Sequence, residues 1–244
     1  MGKSKDLATL KSGLSIDGTL ETTSVGTNLT SNSYNIVRVQ TDKDDTAAAD
    51  GILQFTHGSS NTVKGEIRYD ASESMFELGH GDNQGHVRID GSGRVTKPNQ
   101  PAWRIGRGSS YTITNGQAAN SVINFNSTSD TTRRFFTQGG ITVSSGVVTV
   151  PVTGVYNVGA TIRLDGVGGG YAIVAIRINN DSDSGTGTYN IKGPSGFSAS
   201  YQSWSESTVF KLNANDQVKV YYYVQTDTNF DVNSRSYFHG YLLG

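Results

Sequence analysis

The sequence predicts an all-β protein, and three observations carry that expectation. Helical periodicity is almost absent. Short runs alternate apolar and polar residues, the period-2 signature of half-buried strands. Between the runs stand Asp17-Gly18, Asp50-Gly51, Asp90-Gly91, Asn115-Gly116 and Asp165-Gly166. These dipeptides suit tight hairpins because glycine accepts positive φ. Only Asp44 to Asp50, Asp-Asp-Thr-Ala-Ala-Ala-Asp, suits a helical turn.

Composition sets further bounds. The 244 residues are 34% hydrophobic, 17% charged and 9% aromatic. Low charge with this many aromatics excludes a disordered polyelectrolyte and allows a lean core. The net charge is −1 and there is no basic run, so no nucleic-acid partner is expected. There are no cysteines, which removes disulfides, thiolate metal sites and cysteine nucleophiles. No segment approaches the roughly 20 apolar residues of a membrane span, so no membrane insertion is expected. Met1 to Asp6 opens no apolar stretch of signal-peptide length, so the chain is expected to carry no address of its own.

Three parts follow in order. Residues 1–50 hold one aromatic, Tyr34, among many Thr, Ser, Asn and Gly. Leu7, Leu10, Leu14, Ile16 and Leu20 are too sparse to form a core, so this segment is expected to become ordered only against another body. We read it as an extended attachment segment, with those five residues as its contact points. Residues 51–97 contain short strands at Ile52 to Phe55, Gly65 to Asp70, Ser74 to Leu78 and His86 to Ile89. So few large apolar groups are marginal alone, but three copies around a shared axis can bury them. The run Gly65-Glu66-Ile67-Arg68-Tyr69, a loop, then Met75-Phe76-Glu77-Leu78 resembles the strand-turn-strand units of trimeric phage fibre and tailspike shafts. Pro98-Asn99-Gln100-Pro101 closes this part, because two prolines in four residues cannot lie inside a sheet.

Residues 98–244 form the largest and most apolar block. Strands are expected at Pro101 to Ile105, Val122 to Asn126, Gly139 to Val143 and Val147 to Val150. Others are expected at Tyr156 to Leu164, Tyr171 to Ile178, Val209 to Leu212, Gln217 to Val224 and Ser236 to Leu243. Eight to ten strands without a helix mean a sandwich or jelly roll. Four landmarks are more specific. Gly146-Val147-Val148-Thr149-Val150-Pro151-Val152-Thr153-Gly154-Val155-Tyr156 comes first, then a strand ending at Asn, Ile173 to Asn179. Ser207 to Val218 follows, with Asn215-Asp216-Gln217-Val218 at its turn, and Phe238-His239-Gly240-Tyr241-Leu242-Leu243 ends the block. Their order resembles the globular heads of the complement-type and tumour necrosis factor-like superfamily, with Asn215 where that family has Gly. The resemblance implies a ten-stranded jelly roll and a compact homotrimer, with Tyr237 and Phe238 packing along its axis.

No catalytic site is legible. The acids are too scattered to nominate a glycosidase pair, and there is no Gly-x-Ser-x-Gly elbow. His57, His80, His86 and His239 are the four histidines. A ring of one per subunit can hold a metal, but the plain reading is exposed loop histidines at 80 and 86 and a packed or interface histidine at 239. Asp181-Ser182-Asp183 has oxygen ligands that suit Ca²⁺, and the family resemblance implies such a site, but no full ligand set is visible. We expect no cofactor. Tyr189, Phe197, Tyr201 and Trp204 fall among amide and hydroxyl residues in a stretch read as a long loop. Rings stack on sugar faces while polar groups read hydroxyls, so these four are the candidate glycan contacts, with core or interface packing as the competing reading.

Together these readings predict a homotrimeric bacteriophage fibre protein on the virion surface, without enzymatic activity. Its N-terminus would hold other virion proteins and its C-terminal head would bind a host-surface glycan or protein. A structural head fibre or decoration protein without a receptor, and a polysaccharide-degrading tailspike, are the alternatives.

Overall fold

The computed structural model describes residues 51–57, 62–80, 83–114, 121–130, 134–166, 171–180, 188–192, 201–225 and 229–244. The attachment residues Leu7, Leu10, Leu14, Ile16 and Leu20, the turn at 44–50 and the Asp181–Asp183 loop lie outside them. Every regular element among the described residues is a strand.

The first five strands make one antiparallel meander: β1 (Gly51–His57), β2 (Thr62–Asp70), β3 (Met75–His80), β4 (Asn83–Asp90) and β5 (Val95–Thr96). Its turns follow from local chemistry. Asp70 Oδ1 accepts from the Ser72 and Glu73 amides between β2 and β3. Asp90 Oδ1 accepts from the Ser92 and Arg94 amides, and Gly93 takes φ +77° between β4 and β5.

Register sorts the meander into two unlike faces. Leu53, Ile67, Leu78 and Val87 lie in one cross-strand row, and Tyr69, Phe76, Ile89 and Val95 in another. Both rows belong to the same face, because residues of equal parity share one side of a sheet. That face is open: Phe55 is 57% exposed and Tyr69 50%, and Leu53, Phe76, Leu78 and Val95 are exposed as well. The other face carries the row Arg68, Glu77 and Arg88. Arg88 Nε lies 2.9 Å from Glu77 Oε1, Arg68 Nη2 lies 3.1 Å from Asp70 Oδ2, and Glu66 and Glu77 are buried.

Lys97 to Gln100 form a turn closed by the Gln100 amide on the Lys97 carbonyl. A two-sheet sandwich follows. Its strands are β6 (Ala102–Gly106), β7 (Tyr111–Ile113), β8 (Ser121–Val122), β9 (Phe136–Gln138), β10 (Thr142–Ser144), β11 (Val147–Thr149) and β12 (Gly154–Asp165). Next come β13 (Tyr171–Ile178), β14 (Thr188–Lys192), β15 (Tyr201–Leu212), β16 (Gln217–Gln225), β17 (Phe230–Val232) and β18 (Tyr237–Leu242). The front sheet runs β9-β6-β18-β12-β15, with β17 beside the far end of β12 and β7 beside β17. The back sheet runs β10-β11-β16-β13-β14, with β8 beside β16.

The antiparallel pairs nest. The first strand pairs the last, β6 with β18; then β11 pairs β16, β12 pairs β15, and β13 pairs β14. One long hairpin rolled into two facing sheets gives that nesting, which is the jelly roll. Short segments such as β8 and β9 bring the strand count above the ten expected.

The core lies between the sheets. Trp103, Phe125, Tyr156, Ile162, Val174, Val220 and Phe238 are among its members. Trp103 meets Phe238 edge-on at 5.7 Å between centroids, and the Tyr156 hydroxyl donates to the Val152 carbonyl at 2.9 Å. The β10–β11 hairpin has a two-residue tip, Ser145 and Gly146, both at positive φ. At the turn before β16, Asn215 takes φ +72° where the resembling family has Gly. Asn is among the few residues other than Gly that enter this region readily.

Candidate functional site

The front sheet presents one face to the core and one outward. Alternation along β18 sends Phe238 and Gly240 inward and Tyr237, His239 and Tyr241 outward. Strand β6 does the same, with Trp103 and Ile105 inward and Ala102 and Arg104 outward. Register then builds rows across the outer face. The central row is Phe136, Arg104, His239, Gly159 and Ser207; beside it run Tyr237, Thr161 and Ser205, and on the other side Ala102, Tyr241, Asn157 and Val209.

A concavity of about 470 Å³ opens on this face, lined by Ala102, Trp103, Arg104, Phe136, Tyr237, His239, Gly240 and Tyr241. Glycine shapes it from beneath. A Cβ on Gly159 would meet His239 Cε1 at 2.8 Å, and one on Gly240 would meet the Trp103 ring at 2.3 Å. The imidazole and the indole occupy space that only glycine leaves free.

The electrostatics are uneven. The Arg104 guanidinium stacks 4.1 Å from the centroid of Tyr237, a contact worth about 0.5–1 kcal/mol when exposed. Arg104 forms no ion pair among the described residues. Its Nε, His239 Nδ1 and Trp103 Nε1 are all buried without a hydrogen-bond partner. Burial first, then the Arg104 charge, holds the His239 imidazole below its ordinary value, so it is neutral near pH 7.

The expected glycan contacts are not brought together. Tyr201 and Trp204 lie in the twelve-residue strand β15, not in a loop. They are three residues apart, so they face opposite sides of the sheet. Tyr201 is outward and 63% exposed, with the Arg163 guanidinium 5.0 Å from its ring centroid. Arg163 Nε lies 2.7 Å from Asp165 Oδ1, and the Asn233 amide donates to Asp165 Oδ2. Trp204 instead packs against the core. Phe197 lies outside the described residues, as does the Tyr189 side chain.

Phe238 needs the same correction. It is fully buried between Trp103 and Phe125, so it cannot face a symmetry axis. Tyr237 does face outward. The sequence reading missed Arg104, Phe136 and Tyr241; the signal for Tyr241 was present, since it shares parity with Tyr237.

Among the described residues no three His, Cys, Asp or Glu gather in a manner suited to a metal ion. His80 is exposed, and His86 Nδ1 lies 3.4 Å from the Asn99 amide nitrogen.

No protein-family model matches this chain, and no curated protein does. Among solved structures it is similar to the crystal structure of murine APRIL at pH 8.0. The two share 12% identity over 59% of this chain and 99% of that one, with a TM-score of 0.41. The fold is an all-β jelly-roll sandwich, and the nested strand pairing described above carries that statement.

Proposed function

We propose that this chain is a homotrimeric fibre protein of a bacteriophage virion that adheres to a host-surface receptor, a glycan, through its C-terminal jelly roll. The carrying observation is the meander. Its apolar face leaves five of the eight residues in its two rows exposed, Leu53, Leu78, Tyr69, Phe76 and Val95, while its charged row is ion-paired on the other side. A soluble chain rarely leaves so continuous an apolar face uncovered, and such faces mark contact with another surface. Three copies meeting there form a short shaft from residues 51–97, and residues 1–50 attach it to the particle. Three jelly rolls then present equivalent sites together, so weak contacts combine through high effective concentration. Adhesion of this kind requires no covalent chemistry.

The test has two readouts on the full chain. Sedimentation equilibrium should give three times the 26.1 kDa chain mass. Fluorescently labelled protein should stain some bacterial species selectively, with competition by their surface polysaccharide. A monomeric mass would overturn the trimer. Absence of staining across a panel containing the natural host would replace adhesion with a structural or decoration role, and release of reducing ends from the polysaccharide would replace it with a depolymerase.

A further inference from the structure

We infer that the outer face of the front sheet is an acid-sensitive contact between copies of the chain, with the His239 imidazole as its proton-sensing group. The jelly-roll heads dock while the ring is neutral and part when it takes a second ring proton. This deepens the homotrimer reading and rests on it for the second copy; the sensing chemistry stands on the residues around the ring.

The face is apolar where it is open. Phe136, Val155, Val209 and Tyr241 point outward from it and all are exposed. Clustered apolar surface of this kind marks contact with another protein. His239 stands in the middle of it, in the row between Arg104 and Gly159.

The surroundings of the ring favour its neutral form. A protonated imidazole carries N–H on both nitrogens. Its Nδ1 is buried without a hydrogen-bond partner, so protonation would leave a charged donor there with no acceptor. No acid compensates. From β6 the ring meets the Arg104 guanidinium; from β12 it meets Gly159, with Ser207 of β15 beyond. On its own strand the Tyr237 ring lies 5.8 Å away between centroids. Glu206, beside Ser207, has the opposite parity. The other charged groups on this face are Lys211 and the Arg163–Asp165 ion pair. Asp165 lies roughly 20 Å along β12 from Gly159, and it already holds Arg163. Burial and the Arg104 charge therefore oppose the imidazolium within a single chain. A second copy seated on the face removes more water from the ring and strengthens that opposition, so protons favour the parted heads. The sign follows: docking is full above the imidazole value of the parted head. It weakens as the pH falls below that value, by up to about tenfold per head for each pH unit.

The test uses the full chain, which has no cysteine. Lys211→Cys, exposed on this face in the edge strand β15, then takes a single spin label. Dipolar EPR reads the distance between copies at pH 8 and pH 5, alongside sedimentation mass and far-UV circular dichroism. The distance distribution should be narrow at pH 8. At pH 5 the docked fraction should fall at least tenfold, while the meander keeps the trimer mass and the strand signal is retained. His239→Gln in the labelled chain should stay narrow at both. If that variant does not dock at pH 8, a chain with His57, His80 and His86 each replaced by Gln decides instead. It should part as the parent does, and the NMR titration of its sole imidazole should share the midpoint of parting; a chain that stays docked, or a different midpoint, overturns the inference. Distances that stay narrow at pH 5, that broaden equally in His239→Gln, or that broaden only with loss of the strand signal overturn the switch and leave the trimer standing. So does a trimer mass without a defined distance at pH 8. A monomer mass at pH 8 overturns the homotrimer reading itself, and the switch with it.

Discussion

Gly240→Ala tests the packing beneath the front face most directly. Gly240 lies opposite Trp103 across β6 and β18. An added Cβ would sit 2.3 Å from two atoms of the indole and 2.9 Å from the Asn157 carbonyl oxygen. To reach ordinary contact near 3.5 Å the ring must retreat by roughly 1 Å. It has no room: Trp103 is 1% exposed and held between Phe238 and Tyr156. Overpacking of this kind costs about 1–3 kcal/mol. The backbone contact, which cannot rotate away, puts this site at the upper end. Alanine returns about 0.5–1 kcal/mol through its lower conformational entropy in the unfolded chain. The net expectation is a loss of about 2 kcal/mol, and for a chain of this length a fall in Tm of about 4–8 °C. Urea unfolding at fixed protein concentration, followed by tryptophan fluorescence, measures the first quantity. Gly244→Ala, which meets nothing within 4 Å, is the control and should be silent. In a Trp103→Leu background the same change should cost at least about 1 kcal/mol less, because the smaller side chain frees the space. A Gly240→Ala protein as stable as the parent, or strictly additive costs in the double variant, would refute the argument.

Three further expectations are open to measurement. Asn215→Ala should cost about 1 kcal/mol in urea unfolding while Asn215→Gly costs nothing, because the residue sits at φ +72°. His239 is held below the ordinary imidazole value of 6.5, so the unfolded chain takes the proton first; stability should be full above pH 6.5 and fall as the pH drops below it, and His239→Gln should remove that slope. The separate acid limb below pH 3.8, from Asp70 and Asp90 held low by hydrogen bonds from Ser72 and Arg94, should persist in that variant. Phe76→Glu on the open meander face should shift sedimentation toward monomer, whereas raising NaCl to about 0.5 M should leave the assembly of the parent intact, because apolar contact is not screened by salt.

The strands with strong alternation were legible from sequence, including the break at Val150 to Thr153 and the turn at Asn213 to Asp216. The turn is legible because its chemistry is local: Asp216 Oδ2 accepts from the Asn213 amide, and the Asn215 amide reaches the Val150 carbonyl. Strand β15 was half missed. Its N-terminal part, Tyr201-Gln202-Ser203-Trp204-Ser205, has serine at outward positions, which reads as loop composition although the period is that of a strand. The misreading placed Tyr201 and Trp204 on one surface, while parity separates them. In β18 the signal was complete, since residues 237, 239 and 241 alternate with buried 238 and 240. Treating Phe238 as an outward residue ignored that alternation. The Arg104–His239 pair could not be read at all, because the two lie 135 positions apart and only the β6–β18 register makes them neighbours.

Gly159 is fixed by His239 and Ser207 on the outer side of the front sheet and Gly240 by Trp103 on the core side, although glycine weakens a strand interior by about 0.5–1 kcal/mol relative to alanine. Three buried polar atoms there lack partners, and each such atom opposes stability by about 1–3 kcal/mol. Arg104 and His239 lie side by side with Phe136, Tyr237 and Tyr241 around them, and their unbonded atoms are enclosed by the protomer's own side chains. On the meander, Arg88 pairs with Glu77 and Arg68 with Asp70, and most of the two apolar rows is exposed on the opposite face. The open meander rows therefore call for an apolar partner, a second copy of the chain in the proposed fibre.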